Sequence, residues 1–336
     1  MLACCLATVL AELAPKQGVV QRGGYLARAE LQAFVDEMVQ RHGLDRQQVL
    51  QLFAQVQRQD RVLEAISRPA EAKPWREYRP IFLTQSRIDK GVDFWGAHET
   101  LLDQASQAYG VDPEYIVAIL GVETYYGRRT GSFPVLDALT TLAFDYPPRA
   151  KFFRRELEQY LLLTVEEGLD PLKLQGSYAG AMGQGQFISS SYREYAVDFD
   201  GDGRRDLWGS TPDAIGSVAN YFRRHGWDLG EEVTVEARTS GADHAGLVAK
   251  GLKPSLTLEE LSASGVEPAG VLNAVDAPLA LIELEGENGR ELWIGFNNFY
   301  VITRYNRSPL YAMAVHQLAQ EIRARHIGSL RSAEHR

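Results

Sequence analysis

The sequence predicts an α+β fold that is mainly α-helical, and three observations carry this prediction. Apolar residues recur with the 3.6-residue period of amphipathic helices over most of the chain. Between about residues 229 and 290, stretches of alternating and apolar residues indicate strands instead. Helical spacing then returns after Ser308-Pro309. We therefore expect a helical protein that is interrupted by a small β-rich insertion.

The first two helices are indicated by apolar spacing and by a glycine between them. The pattern begins at Glu30 and is broken at Gly43, which favours a helix end. A second amphipathic segment begins at Val49, and an irregular connection containing three prolines follows. The apolar positions of the first helix are Leu31, Phe34, Val35, Met38 and Val39.

A third helix is predicted over residues 94–109 and ends at Gly110. The next begins at Asp112-Pro113-Glu114, where an N-cap acid precedes a proline and a second acid lies in the field of the helix dipole. Further helical patterns cover residues 151–167, 189–197 and 212–224.

The β-rich insertion has one strand candidate and one hairpin candidate. Residues 233–238 alternate like a half-buried strand. Apolar runs at 279–284 and 291–296 flank Glu287-Asn288-Gly289, which contains the Asn-Gly pair favoured in tight hairpin turns. The last helix then begins at the Ser308 N-cap.

Composition excludes several classes of protein. The 336 residues suggest two or three domains, and 45% hydrophobic with 24% charged residues is typical of a globular chain. A net charge of −9 and a pI near 5.4 argue against a nucleic-acid partner. The two cysteines, Cys4 and Cys5, cannot form a disulfide framework, and the seven histidines lack the spacing of a zinc site.

The first 14 residues form an apolar run that is too short to span a bilayer. They resemble the apolar part of an export signal but lack its basic start. Three interpretations stay open: an export signal whose true start lies upstream, an apolar first helix, or a lipoprotein segment acylated at Cys4 or Cys5.

Glu123 is the first candidate for catalysis. It is three, four and seven residues from Leu120, Ile119 and Ile116 on one helix face, where lost hydration would raise the pKa of a carboxyl group. Such an acid can stay protonated and act as a general acid. We expect Gly127 to end this helix. The alternatives are a buried glutamate paired with Arg128 or Arg129, or one turned to solvent.

The glycine-rich segment at residues 176–187 is too dense in small residues for an ordinary helix, and no Lys-Ser/Thr follows it as in a phosphate loop. Two interpretations fit it equally. Its backbone could approach a ligand closely and bond it through N–H and C=O groups, or two backbone segments could pack against each other.

An acidic loop at residues 198–206 has the pattern D-x-D-x-D-G-x-x-D, which places oxygen ligands at calcium-loop positions 1, 3, 5, 7 and 9. Gly209 stands where such loops carry a bidentate glutamate, and Asp213 is the candidate for that role. A solvated acidic turn is the alternative. The predicted ligands are Asp198, Asp200, Asp202, Arg204 through its carbonyl, Asp206 and Asp213.

Several motifs in the same order resemble the lytic murein transglycosylase B family of bacteria. They are GVETYYG (121–127), VLDALTTLAFDYPPRAKFF (135–153), YAGAMGQGQFISSSY (178–192), DAIGSVANYF (213–222) and NNFYVITRYNRS (297–308). The resemblance covers about residues 30 to 325 and is weakest in the β-rich insertion.

The resemblance implies a lysozyme-like helical core and a catalytic glutamate at Glu123. That residue would protonate the glycosidic oxygen between N-acetylmuramic acid and N-acetylglucosamine. It would then act as base while the muramoyl C6 hydroxyl attacks C1, giving a 1,6-anhydro product. No second acid stands out, which fits assistance by the substrate's own N-acetyl group rather than the usual pair of carboxylates.

The resemblance also implies the substrate groove, a structural calcium ion in the acidic loop with a late aspartate, and no organic cofactor. Aromatic faces suit the C–H face of sugar rings, and Arg149 could meet acidic peptide or lactyl groups. The implied groove residues are Tyr78, Arg149, Ser177, Tyr178, Gln186, Phe187, Tyr221, Tyr300 and Tyr305.

The predicted organisation has five segments: a leader (1–18), an N-terminal helical domain (19–92), a catalytic core with the acidic loop (93–228), a β-rich domain (229–290) and a return to the core (291–336). We expect a periplasmic protein, soluble or anchored to the outer membrane. Glycan strands of peptidoglycan are the expected partner, and cell-wall synthesis enzymes are a further candidate. Two rival functions stay open: a muramidase that uses water, and a non-catalytic calcium-dependent glycan-binding scaffold.

Overall fold

The computed structural model describes residues 24–67, 73–240, 244–274 and 276–334. The predicted leader, with Cys4 and Cys5, lies outside the described residues. Within the described ranges, no helix is both long and apolar enough to cross a membrane.

Helices dominate the described chain, which confirms the predicted mainly α class. In chain order they are α1 (Ala29–His42), α2 (Arg46–Phe53), α3 (Asp60–Ile66), α4 (Trp75–Phe82), α5 (Gln85–Tyr109), α6 (Pro113–Thr124), α7 (Val135–Asp145), α8 (Ala150–Glu166), α9 (Ser189–Tyr195), α10 (Thr211–Arg224), α11 (Ala245–Val248), α12 (Leu258–Ala263), α13 (Asn297–Tyr305) and α14 (Pro309–Glu334).

Within the described residues, six short strands form two antiparallel sheets. They are β1 (Phe133–Pro134), β2 (Gln175–Gly176), β3 (Thr234–Thr239), β4 (Val266–Pro268), β5 (Ala280–Gly286) and β6 (Gly289–Gly295). The first two pair with each other, and the other four form a sheet in the order β4-β3-β6-β5. Gly286 pairs with Gly289 across a two-residue turn, so the predicted hairpin is confirmed.

The chain divides into two compact units, each of which combines two stretches of sequence. The first unit holds the described residues of 70–126 and 215–336, and the second holds those of 4–69 and 127–214. The five predicted segments have different boundaries and stay a prediction of sequence organisation.

In the first unit, α6 is the central helix and packs against α5 and α14. Every residue from Glu114 to Thr124 is buried. The sequence predicted burial of a single apolar face, whereas the helix is buried on all sides. A helix with neighbours on all sides is apolar all round. The four-stranded sheet of this unit has its own cluster of buried residues, which includes Leu261, Leu281 and Ile294.

In the second unit, α8 packs against α7 and α9, while α3 packs against α7. Buried aromatic residues fill this core, among them Phe153, Tyr160 and Tyr192. Between α8 and α9 the chain runs through β2 and the glycine-rich segment, which forms turns and isolated bridges rather than a helix, as predicted.

Helix α4 forms where an irregular connection with three prolines was predicted, since Pro74 lies just before the helix. Two helix starts also differ in detail from the sequence prediction. Helix α5 begins at Gln85 rather than near residue 94, because the Thr84 hydroxyl accepts the Arg87 N–H and caps it. Asp112 precedes α6, but its side chain makes no cap bond. Its carboxylate instead accepts the indole N–H of Trp227 at 2.9 Å.

Candidate active site

Glu123 lies at the next-to-last position of α6, and its side chain is buried, with 5% of its surface exposed. This burial excludes the interpretation in which it turns to solvent. The Tyr311 hydroxyl donates a 2.6 Å hydrogen bond to Oε1 of Glu123. Arg128 and Arg129, the partners considered from the sequence, are both exposed.

Tyr311 reaches the carboxylate because of where α14 begins. The Ser308 hydroxyl accepts the Tyr311 N–H at 3.3 Å and caps the helix. Pro309 occupies the first helical position, so Tyr311 lies in the first turn. The cap predicted at Ser308-Pro309 thus fixes the start of the helix that carries the partner of Glu123.

Directly after Glu123 and Thr124, the backbone reverses in an unusual way. Tyr125 and Tyr126 both adopt the left-handed conformation, with φ of 53° and 61°. Their N–H groups bond the carbonyls of Gly121 and Leu120, which ends the helix at Thr124, before the predicted stop at Gly127. Two consecutive left-handed residues with side chains cost roughly 1–3 kcal/mol each, so the surroundings must hold them.

Tyr126 is held by close packing and by one hydrogen bond. Its hydroxyl donates to the Arg87 carbonyl at 2.7 Å. A Cβ atom added at Gly121 would lie 2.7 Å from the Tyr126 ring, and one added at Gly91 would lie 2.6 Å from its hydroxyl oxygen. The ring therefore fits into space that only glycines leave open. Burial raises the pKa of the Tyr126 hydroxyl above its ordinary range, so this group stays a neutral donor.

Arg87 connects this reversal to the end of α4. Its buried guanidinium donates to the carbonyls of Ile81 and Phe82 at 2.6 and 3.0 Å. The same group lies 5.2 Å from the centre of the Tyr125 ring, a cation–π distance. The Tyr125 hydroxyl is also 2.7 Å from the Ser86 hydroxyl. The turn after Glu123 is thus fixed at both tyrosines.

The aromatic groove candidates of the first unit fall into two groups. Tyr78 is fully buried, with its ring centre 5.1 Å from that of Phe82. Tyr221 is also buried, and its hydroxyl donates to the Arg304 carbonyl at 2.6 Å. Tyr300 and Tyr305 are partly exposed, and the Tyr305 ring lies 4.7 Å from that of Tyr221. Only Tyr300 and Tyr305 therefore offer exposed ring surface in this arrangement.

The remaining groove candidates belong to the second unit. Ser177 is fully buried, and its hydroxyl accepts the N–H groups of Ala179 and Ala181. The Gln186 side chain donates to the carbonyls of Thr130 and Gly183, both at 3.0 Å. Both side chains therefore shape the glycine-rich segment itself.

Phe187 is buried, and its backbone pairs with Met182 within the glycine-rich segment. Tyr178 is partly exposed. Arg149 ends a short 3-10 turn and is also partly exposed, with its guanidinium 4.2 Å from the centre of the Phe152 ring. Tyr178 and Arg149 are thus the candidates of this unit that present surface to solvent.

The glycines of this segment allow two backbone strands to approach each other. A Cβ atom at Gly176 would lie 2.2 Å from the Ala181 carbonyl oxygen, and one at Gly131 would lie 2.1 Å from the Gly176 carbonyl oxygen. Of the two interpretations of these small residues, the geometry supports close packing of backbone on backbone.

The acidic loop brings three of its six predicted ligands together. Carboxylate oxygens of Asp198, Asp200 and Asp202 lie within 4.8 Å of one another, and all three side chains are exposed. The Asp198 carboxylate also accepts N–H groups from Gly201 and Gly203 at 2.8 Å, which curls the loop around it. Three negative charges at this distance repel one another unless a cation lies among them, so the donor set suits a hard divalent ion.

The other predicted ligands have structural roles in the same loop. Asp213 is fully buried and accepts the N–H groups of Phe199 and Asp206, both at 2.7 Å. Burial raises the pKa of the Asp213 carboxyl, and the Asp200 charge adds to this effect. The Asp206 carboxylate accepts the N–H groups of Trp208 and Gly209 at 2.9 Å. Arg204, predicted to bind through its carbonyl, is exposed.

Sequence reasoning missed Tyr311 and the pair Tyr125-Tyr126. The Ser308-Pro309 cap already placed Tyr311 in the first turn of a helix, which was the available signal. No sequence signal marks two non-glycine residues for the left-handed conformation, because glycine is the residue expected there.

Comparison with known proteins adds a family match and several close relatives. The family model described as "Transglycosylase SLT domain" matches residues 27–320. Membrane-bound lytic murein transglycosylase B of Escherichia coli K12 is 46% identical over 321 residues, which cover 92% of this chain and 87% of that protein.

Two solved structures extend the similarity to the fold. Soluble lytic transglycosylase SltB1 of Pseudomonas aeruginosa is 52% identical with a TM-score of 0.82, and the match covers 88% of this chain and 99% of that one. The Escherichia coli lytic transglycosylase Slt35 in complex with calcium is 44% identical with a TM-score of 0.83, and the match covers 94% of this chain and 100% of that one.

Proposed function

The chain belongs to the transglycosylase SLT domain family, and from this premise we propose that it is a lytic transglycosylase acting on peptidoglycan with Glu123 as its catalytic residue. The bond cleaved is the β-1,4 bond between N-acetylmuramic acid and N-acetylglucosamine. No water is consumed, and the new chain end is a 1,6-anhydromuramic acid.

The proposed reaction uses one carboxyl group twice. Glu123 first donates its proton to the glycosidic oxygen, which leaves with the electron pair of the C1–O4 bond. The substrate's N-acetyl oxygen shields the electron-poor C1 carbon. The resulting Glu123 carboxylate then removes the proton of the C6 hydroxyl, while O6 forms a bond to C1. The glutamic acid is regenerated, so atoms and charge balance over the cycle.

The observation that carries this proposal is a buried carboxyl group that accepts a 2.6 Å hydrogen bond from the Tyr311 hydroxyl. Burial favours the neutral acid needed for the first step, while a hydroxyl donor favours the carboxylate needed for the second. The two effects oppose each other, which suits a group that must exist in both forms during one turnover.

Product analysis tests the proposal. Purified sacculi are digested with the full chain, and the fragments are identified by mass spectrometry. We expect 1,6-anhydromuramic acid ends from the native chain and none from Glu123→Gln. The matched control is Glu114→Gln on the same helix, since Glu114 is equally buried with 5% exposure. Its variant should keep the activity.

Each alternative outcome identifies a rival. Reducing-end muramic acid in place of the anhydro product would show that water completes the reaction, as in a muramidase. Absence of any cleavage by the native chain, with glycan binding retained, would instead indicate a calcium-dependent binding scaffold.

We further propose that the acidic loop binds calcium in a structural role. The cluster of Asp198, Asp200 and Asp202 supports this, as does the complex of the Escherichia coli relative Slt35 with calcium. When bound, the ion supplies only charge neutralisation and loop order. Asp213 and Asp206 hold the loop backbone from the inside, and Arg204 adds its carbonyl in this proposal.

The groove assignments and the location also stay proposals. We propose that the exposed surfaces of Tyr178, Tyr300, Tyr305 and Arg149 contact the glycan. In the same proposal the buried Tyr78 and Tyr221 shape the groove surface of the first unit, and the buried Ser177, Gln186 and Phe187 shape that of the second. Peptidoglycan as substrate implies a periplasmic location, either free or anchored to the outer membrane. Association with cell-wall synthesis enzymes remains an expectation.

A further inference from the structure

A cavity of about 670 Å³ lies entirely within the second unit, on the side of the acidic loop that carries Trp208. Its volume falls within the roughly 300–1,000 Å³ that small-molecule sites occupy. Its lining combines residues from the end of the acidic loop, including Trp208, with residues of the chain around Gln175. None of the predicted groove residues lines it.

Trp208 provides a fixed aromatic surface in this cavity. Its indole N–H donates to the Gln175 carbonyl at 2.9 Å, and its ring centre lies 5.7 Å from that of Tyr192. The side chain nevertheless stays partly exposed. An aromatic ring held at one edge and open on its surface loses little entropy when a ligand stacks on it.

Polar groups suited to hydroxyl and acetamido groups surround this ring. The Gln175 side chain is exposed. The hydrogen bond from Trp208 goes to the Gln175 backbone carbonyl and does not use this side chain. The Thr130 backbone carbonyl accepts a hydrogen bond from the Gln186 side chain, and the Thr130 hydroxyl is a separate polar group of the same lining residue. Both residues line the cavity and can donate as well as accept.

The charges of the lining favour a neutral ligand. The Arg205 guanidinium is paired with the Glu167 carboxylate, with its Nε at 2.8 Å from Oε1. Lys173 pairs with Asp170 at 3.0 Å. Arg204 and Asp206 add one charge of each sign to the lining. With Asp170 counted as the partner of Lys173, three cations stand against three carboxylates, so the lining has no net charge that would select an anionic peptide, and a neutral sugar would meet donors and acceptors of both kinds.

We propose that this cavity is an accessory saccharide site, in which an N-acetylated sugar of the glycan strand stacks on Trp208 and hydrogen-bonds to Gln175 and Thr130. The choice of sugar rests on the proposed action on peptidoglycan. The site holds the polymer and takes no part in the chemistry, so it adds affinity for long strands through a second attachment.

The test follows the indole N–H resonance of Trp208 by two-dimensional NMR while tri-N-acetylchitotriose is added to the full chain. Loss of one indole signal in Trp208→Phe assigns the resonance. We expect a saturable shift of this signal. Gln175→Ala keeps the backbone carbonyl that fixes the indole, and it should raise the half-saturating concentration roughly three- to tenfold. Tyr195→Ala, a partly exposed aromatic of the same unit outside the cavity lining, should leave it unchanged.

Three results would overturn the proposal: no shift of the Trp208 signal, a shift that Gln175→Ala does not weaken, or a shift caused by the free acidic stem peptide and not by the trisaccharide. These outcomes are independent of the product analysis. A chain that forms anhydro ends but shows no Trp208 shift refutes only the accessory site. A chain that shows the shift but forms no anhydro ends refutes only the proposed function.

Discussion

The Tyr311 hydroxyl donates its hydrogen bond to the Glu123 carboxylate across 188 residues of sequence. This contact joins the first turn of α14 to the last turn of α6. The start of the final helix therefore contributes to the proposed catalytic site, although Tyr311 lies outside the sequence motifs and only Glu123 belongs to one of them.

Tyr311→Phe is therefore expected to slow cleavage while leaving the fold intact. A hydrogen bond to a charged group stabilises by about 1.5–3 kcal/mol, so kcat on sacculi should fall roughly ten- to a hundredfold. Loss of a donor to the carboxylate also favours the acid, which should move the alkaline limb of the pH–rate profile to higher pH. The control is Tyr160→Phe, which removes a buried hydroxyl bonded to the Pro171 carbonyl. An unchanged kcat and pH profile in Tyr311→Phe would remove Tyr311 from the mechanism.

Gly121→Ala should disturb the reversal after Glu123. The added methyl group would lie 2.7 Å from the Tyr126 ring, and such overpacking costs about 1–3 kcal/mol of unfolding free energy. Displacement of Tyr126 should also lower kcat. The matched control is Gly96→Ala in α5, where no atom lies within 4 Å of the added carbon, so stability should rise by up to about 1 kcal/mol. Urea unfolding and kcat measure both effects. Equal changes in unfolding free energy and kcat in the two variants would contradict the close packing of Gly121 against Tyr126.

Local sequence patterns predicted many of the helices and the hairpin because these depend on neighbouring residues. They did not predict α3, α7, α11, α12 or α13, and α4 lies where an irregular connection was expected. The period of apolar positions and the hairpin signal at residues 287–289 are such local features, and the hairpin is confirmed with Glu287 and Asn288 as its turn residues. Helix ends were less predictable. Gly127 was the obvious terminator of α6, yet the helix ends at Thr124 because Tyr126 finds a tertiary partner in the Arg87 carbonyl.

The candidate site could be predicted only in part for the same reason. Glu123 was identified from its spacing to apolar neighbours, and the three clustered aspartates from their spacing in one loop. Tyr311 could not be paired with Glu123, since that contact depends on how α14 packs against α6. The burial of Tyr78 and Tyr221 likewise depends on packing that the motifs do not reveal.

Removal of calcium should lower the melting temperature of the native chain. Binding of an ion to the folded state alone stabilises it by about 2.7 kcal/mol at a concentration one hundred times Kd, and chelation removes this contribution. Asp202→Ala should abolish the response to the chelator, because it removes one of the three clustered carboxylates. Asp103→Ala, an exposed acid on α5, should keep it. A melting curve of the native chain that a chelator leaves unmoved would show that the loop holds no ion.

Glu114 should make the free energy of unfolding depend on pH in a direction opposite to that of an ordinary ion-paired acid. Burial raises the pKa of its carboxyl above 4.5, the nearby Asp112 charge adds to this, and Arg323 opposes it. Between 4.5 and the raised pKa, the folded state binds more protons than the unfolded state, so stability falls as pH rises through this window.

Glu114→Gln binds no proton and should lose this dependence. The variant's stability relative to the native chain should therefore be highest near pH 7 and should decline as the pH is lowered toward 4.5. Urea unfolding of both proteins at intervals between pH 7 and 4.5 measures this difference. The native chain also has an ion pair between Glu114 and Arg323, at 3.5 Å, in which the arginine is about half exposed. Loss of this pair adds a constant difference in unfolding free energy between the two proteins at neutral pH. A stability difference that stays constant over the whole range would show that the Glu114 carboxyl titrates alike in the folded and unfolded chain.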